Sequence, residues 1–159
     1  MSFEKELENT IKELVTKIPF NVEDISISFD QNNTDLWCSL TSSDSRHLIG
    51  KDGETLFSLN HILKKLVDNK IRNTDIEPLN FILDINGYQK KKVEDLYSKV
   101  YMLAERVRYF KSSIEAPPMT SFDRRLVHDY LSREKNIRTE SKGEGFDRKV
   151  VIYYSEDKK

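Results

Sequence analysis

Apolar residues recur along this chain at two periods, and the switches between them mark out its elements. Phe3, Leu7, Ile11, Leu14, Val15 and Ile18 fall at three- and four-residue steps, the spacing of an amphipathic helix, which Pro19 ends. Strict alternation follows, with Ile25, Ile27 and Phe29 interleaved with Ser26 and Ser28, and Leu36, Cys38 and Leu40 alternating after Asn32-Asn33. That pattern predicts a β-hairpin with one buried face. Thr41 to Ser45 are cap-forming residues, and Arg46-His47-Leu48-Ile49 leave room for only a short helical turn before Gly50. The helical period returns in Leu56, Leu59, Ile62, Leu63, Leu66 and Val67, a stripe over about residues 54–69. A third strand is expected at Leu79, Phe81, Leu83 and Ile85, closed by Asn86-Gly87.

Beyond that point the period is helical again from Tyr88 to about Lys111, with Val93, Leu96, Val100, Leu103, Ala104 and Val107 on one stripe. This long helix reads as a joint between modules. Ala116-Pro117-Pro118 break any continuation, and Thr120-x-x-Asp123 resembles a capping box for a helix through Leu131, with Phe122, Leu126 and Tyr130 as its core face. Ile137 to Ser141 and Lys149 to Tyr154, around the turn Lys142-Gly143-Glu144-Gly145, predict a second hairpin. The expected fold class is α+β in two small domains, residues 1–87 and 88–159, joined through the long helix.

Composition narrows the class. A chain of 159 residues accommodates two small cores. Its longest apolar run, Val150 to Tyr154, is far too short to span a bilayer. The opening Met1-Ser2-Phe3-Glu4-Lys5-Glu6 does not read as a secretion leader, and the single cysteine, Cys38, excludes an internal disulfide. A cytoplasmic location is expected. The net charge of −1 argues at first against a polyanion partner. Its distribution reverses that: residues 1–44 carry 3 Lys/Arg and 9 Asp/Glu, whereas residues 45–159 carry 23 and 18. Clustered cations suffice for phosphate contact, because the relevant field extends about 8–10 Å at ordinary salt.

Candidate chemistry lies in the basic part. In Gly50-Lys51-Asp52-Gly53, two glycines three apart permit a tight turn and close approach of a sugar-phosphate chain, with the next helix's amides facing a phosphate. Lys51 supplies a cation, and Ile49 and Leu56 would line a groove for bases. Asp52 either repels phosphate or caps the following helix. Farther on, Arg124 and His128 are spaced i,i+4 on one helix face beside Arg125, so that a guanidinium can grip phosphate and a neutral imidazole can stack on a base or bond a sugar. Arg148 and Lys149 extend that surface, and Lys90-Lys91-Lys92 could add backbone contact. Trp37 and Tyr109 could stack on bases, but core or interface packing is the favoured assignment. His47 reads as a loop residue and His61 as a helix-face residue, with no ligand-spaced partners for a metal. Neither paired acid-base groups nor clustered metal carboxylates can be located, so no enzyme activity, cofactor or metal site is expected.

The order helix, strand, strand, short helix, Gly-x-x-Gly, helix, strand resembles the type II KH domain. Pro118 to His128, with Thr139 to Gly145 and Arg148 to Ile152, is similar to the R-three-H (Arg-x-x-x-His) single-strand-binding domain. Together with Leu48 to Leu56 and Leu83 to Tyr88, these runs resemble the Jag (KhpB) family, the SpoIIIJ-associated proteins. The resemblance implies a non-catalytic RNA-binding protein of the cytoplasm, an RNA chaperone or post-transcriptional regulator linked to cell-wall homeostasis, cell shape and division. It also implies single-stranded RNA and a small KhpA-type KH protein as partners, with no small-molecule substrate and no membrane insertion; a homodimer is left open. An adaptor of the division or envelope machinery, with degenerate RNA binding, is the alternative. The sequence departs from the family in three places. It opens on the KH helix rather than on the extra N-terminal Jag domain of many members, Asp52 stands where a basic residue is usual, and Ser45-Arg46-His47 replace a more apolar approach to the turn.

Overall fold

The computed structural model describes residues 2–29 and 35–156. In chain order these form α1 (Phe3–Lys17), β1 (Asp24–Phe29), β2 (Leu36–Thr41), α2 (Ser45–Ile49), a 3-10 turn (Lys51–Gly53), α3 (Glu54–Ile71), β3 (Phe81–Ile85), α4 (Tyr88–Phe110), β4 (Ile114–Glu115), α5 (Ser121–Leu131), β5 (Ile137–Lys142), a second 3-10 turn (Gly145–Asp147) and β6 (Lys149–Tyr154). The chain divides into two compact units, Met1–Lys90 and Lys91–Lys159, with the boundary inside α4.

The first unit is a three-stranded sheet in the order β1-β2-β3. β1 runs antiparallel to β2, with Ile27 opposite Cys38. β3 runs parallel to β2, with Leu83 opposite Cys38, so the chain between them must cross back over the sheet, and α2 and α3 make that crossing. Leu7 and Ile11 of α1, Leu36, Cys38 and Leu40 of β2, Leu48 of α2, Leu63 and Val67 of α3, and Leu83 and Ile85 of β3 share one core. The Asn32-Asn33 turn expected between β1 and β2 lies outside the described residues.

Two strand expectations are corrected. β1 is less covered by helices than β3, which packs on α2 and α3, so Ile25 and Ile27 are only half-buried and Phe29 is exposed. The third strand begins at Phe81; Leu79 stays outside it and is exposed. All five residues of β3 are buried, Ile82 and Asp84 included, as is common in parallel pairing. Asp84 has a specific reason to be there. Its carboxylate accepts the N–H groups of Gly87 (3.1 Å), Gln89 (2.7 Å) and Lys90 (3.2 Å), satisfying the first turn of α4. Beside it, the Asn86 side chain accepts the Ser42 N–H at 3.0 Å and donates to the Ser42 carbonyl at 2.9 Å, which pins the loop leading into α2.

The second unit packs α4 and α5 on an antiparallel sheet in the order β4-β6-β5. β4 is too short to announce itself by alternation. Val100, Ala104 and Val107 of α4 meet Val127 and Leu131 of α5, Ile137 of β5, and Val150 and Ile152 of β6. The core face of α5 is therefore wider than the expected one. Leu126 is buried as expected, Val127 and Leu131 enter the core beside it, Phe122 is half-buried, and Tyr130 packs at the core's margin, stacked on Tyr97 with ring centroids 4.4 Å apart. The capping expectation also needs amending. Thr120 Oγ1 accepts the Asp123 N–H at 3.1 Å, but the Asp123 carboxylate accepts the Thr120 hydroxyl at 2.8 Å. Aspartate is one methylene shorter than the glutamate of a reciprocal box, and here it orients the capping hydroxyl.

Candidate nucleic-acid interface

Each unit has its own candidate site. In the first, α2 ends at Gly50, whose N–H returns to the Arg46 carbonyl at 3.0 Å. Its backbone, at φ 74° and ψ −174°, lies in territory open essentially to glycine alone. A Cβ there would lie 2.1 Å from Thr55 Oγ1 and 3.0 Å from the Thr55 nitrogen. Asp52 (φ 53°) and Gly53 (φ 89°) are also left-handed, so the turn is tightly wound, with Lys51 and Asp52 exposed on it. The Gly53 N–H points back to the Gly50 carbonyl and the Glu54 N–H to the Lys51 carbonyl. Three amides of the turn are thus engaged internally, which leaves the exposed Lys51 ammonium as the turn's candidate phosphate contact.

The predicted groove residues separate. Ile49 is half-buried at the core's margin, whereas Leu56 is 3% exposed. Leu56 lies on one helical stripe with Leu63 and Val67, and that stripe faces inward; it anchors α3 and does not line an open surface. His47 is exposed within α2 and stacks on Phe20 at 5.7 Å and 10°, so it is not a loop residue. His61 is exposed on α3, and Trp37 is half-buried with the Lys90 ammonium 5.8 Å from its ring centre.

In the second unit, α5 brings Arg124 and His128 together. Arg124 Nη1 donates to the Met119 carbonyl at 2.9 Å, and the Met119 N–H donates to the Arg148 carbonyl at 3.2 Å. The guanidinium is thereby held in place, with further N–H groups left to donate. His128 Nδ1 lies 2.7 Å from Thr139 Oγ1 and Nε2 lies 2.8 Å from Ser141 Oγ. Both ring nitrogens are therefore occupied within the protein, which fixes the ring against β5 and leaves stacking as its readiest contact with a base. Burial holds the imidazole below its ordinary 6.5; Asp129 pulls the value up and Arg124 pushes it down. Neutral imidazole suits this pair of partners, because a hydroxyl can donate to one nitrogen and accept from the other.

Around this centre, Arg148 is exposed, Arg125 lies 3.5 Å from Asp129 and over the Phe122 ring, and Lys149 is paired with Glu115. Thr139 and Ser141, which hold His128, are residues of the candidate site that the motif spacing does not reach. Their signal is nonetheless present, since two hydroxyl residues alternate with the charged positions of β5 and share a face with buried Ile137. Tyr109, assigned to packing from sequence, is 83% exposed beside Phe110. Lys90, Lys91 and Lys92 are exposed at the start of α4. Among the described residues, no group of three or more His, Cys, Asp and Glu could hold a metal ion, and no helix is long and apolar enough to cross a membrane.

Residues 99–154 match the family model of the R-three-H domain. The chain is 32% identical over 129 residues to the RNA-binding protein KhpB of Clostridium symbiosum, covering 81% of this chain and 56% of that protein. It is 36% identical over 115 residues to the RNA-binding protein KhpB of Bacillus subtilis, covering 71% and 53%. With the protein of the same name from Streptococcus pneumoniae serotype 2 it shares 22% identity over 151 residues, 92% of this chain and 45% of the other. The chain thus spans about half the length of the curated relatives it matches.

Proposed function

Because this chain belongs to the Jag (KhpB) family, we propose that it binds single-stranded RNA without transforming it. One observation carries the reading: Arg124 is tethered to the Met119 carbonyl, beside a neutral His128 clamped to β5 and an exposed Arg148. A guanidinium held in advance loses little freedom on gripping a phosphate, and a fixed imidazole face is ready for a base. Lys51 on the glycine turn supplies a second phosphate contact in the N-terminal domain, residues 1–87, and the C-terminal domain, residues 88–159, contributes the first. The family resemblance extends the proposal to a chaperone or post-transcriptional role in cell-wall homeostasis, shape and division.

Fluorescence anisotropy with an unstructured oligonucleotide tests it. Lys51→Asp combined with Arg124→Ala should abolish saturable binding while leaving the melting temperature near that of the parent chain. Three phosphate contacts predict a slope of about −2 for log affinity against log salt, at roughly 0.7 per contact for single strands. Unchanged binding in the double variant refutes the reading.

A second reading, the protein adaptor, draws on the acidic balance of residues 1–44 and on Phe57, Ile62 and Leu66, which are exposed on α3. Its proposed partner is a small KhpA-type KH protein, with a second copy of this chain as the alternative. Pull-down with and without ribonuclease separates adaptor from RNA binder, and sedimentation of the pure chain tests the homodimer.

A further inference from the structure

Phe146 projects from the turn between β5 and β6 with 102% relative exposure, the full exposure of an isolated side chain. A large aromatic ring left wholly in water has no part in stabilising the fold, and the turn that presents it is not slack. Gly143 has φ 90°, and a Cβ there would meet the Asp147 carbonyl oxygen at 2.9 Å and Arg148 Cα at 3.3 Å, so the two sides of the turn are packed backbone to backbone. Within it the Asp147 N–H donates to the Glu144 carbonyl at 3.1 Å. The ring is therefore carried on a tight support.

The support joins the segments that hold the candidate site already described. Ser141, which holds His128, and Arg148, whose carbonyl holds Met119 beneath Arg124, lie on either side of this turn. Resting on the RNA-binding reading, we propose that Phe146 is a base-stacking residue of the C-terminal site, receiving one base of a single strand whose phosphates lie on Arg124 and Arg148. Charge places the parts of the nucleotide. Glu144 and Asp147 lie exposed on the same turn as Phe146 and repel a phosphate there, whereas the exposed Arg148 attracts one. The ring thus takes a base while the backbone turns toward the arginines. Stacking on an aromatic ring tolerates every base, so Phe146 adds affinity with little sequence preference.

The test uses the full chain with a labelled oligo-uridylate of about twelve nucleotides and an abasic ribose-phosphate strand of equal length, read by anisotropy. Phe146→Ala should weaken oligo-uridylate binding about tenfold, leave abasic binding unchanged and leave the melting temperature unchanged. Phe146→Trp should restore the affinity, and its added emission should be quenched by oligo-uridylate and not by the abasic strand. If Phe146→Ala binds as the parent does while Arg124→Ala is weakened, the stacking role is overturned and the RNA-binding reading survives. Failure of the parent chain to bind either strand removes both. Loss of binding to phosphatidylglycerol vesicles in Phe146→Ala, with RNA binding intact, would make the ring a lipid contact and overturn the proposal.

Discussion

Two residues carry constraints severe enough to predict from. At Gly50 the backbone conformation excludes a side chain, and the nearest obstacle includes the Thr55 nitrogen as well as its hydroxyl. Gly50→Ala should therefore cost about 2 kcal/mol or more, the strain of a disallowed conformation plus the clash. Urea unfolding measures it, and Thr55→Ala should not rescue the variant because the backbone atom remains. His128 makes a pH-dependent prediction. Its folded pKa lies below 6.5, chiefly through burial, so the unfolded chain takes up the proton first as acid is added. Stability should then fall as the pH drops from about 6.5 to the folded value and level off below it. Titration of the ring protons by NMR should place that value under 6.5. Arg124→Ala should raise it, whereas Asp129→Ala should lower it further.

At the scale of elements, Asp84 shows how a strand and a helix are joined by one carboxylate. It sits 1% exposed in β3 and takes three N–H groups at the start of α4. Asp84→Ala should cost about 2 kcal/mol or more, because charge-assisted bonds are lost and buried donors are left unpaired. Chemical denaturation of the full chain measures the cost. This connection is not legible in the sequence, where Asp84 reads as the polar partner in an alternating strand. The helices are legible because their stripes are local: α1, α3 and α4 each repeat an apolar position over several turns. Where two stripes adjoin, as Phe122, Leu126 and Tyr130 do beside Val127 and Leu131 on α5, the burial of Val127 and Leu131 along with Leu126 is decided by partners on α4 and the sheet that no local window contains. β1 is half misread for the same reason, since its exposure depends on which strands the helices cover. Spacing alone finds the motif residues Gly50, Gly53, Arg124 and His128, but what holds His128 comes from β5, eleven and thirteen residues along the chain.

For the molecule as a whole, the weak net charge and the two separate sites belong to one argument. With a formal charge of −1, the chain has no strong overall field to gather RNA, and the cations proposed to meet phosphate at each candidate site are few: Lys51 in one unit, Arg124 and Arg148 in the other. Neither site should bind tightly alone. Their covalent connection makes the second contact intramolecular, and such linkage raises affinity by about 10²-fold or more once one strand can reach both sites. Affinity for unstructured RNA should therefore rise with strand length in a step, from single-site binding for short strands to linked binding for long ones. Lys51→Asp and Arg124→Ala, each alone, should flatten that step while leaving binding of the shortest strands to the untouched site intact. A smooth rise without a step, retained in both variants, would mean that the units act independently on the strand. The step also separates linkage from mere accumulation of charge: higher salt should lower both plateaus, but the length at which the step occurs should stay fixed, because it is set by reach and not by screening.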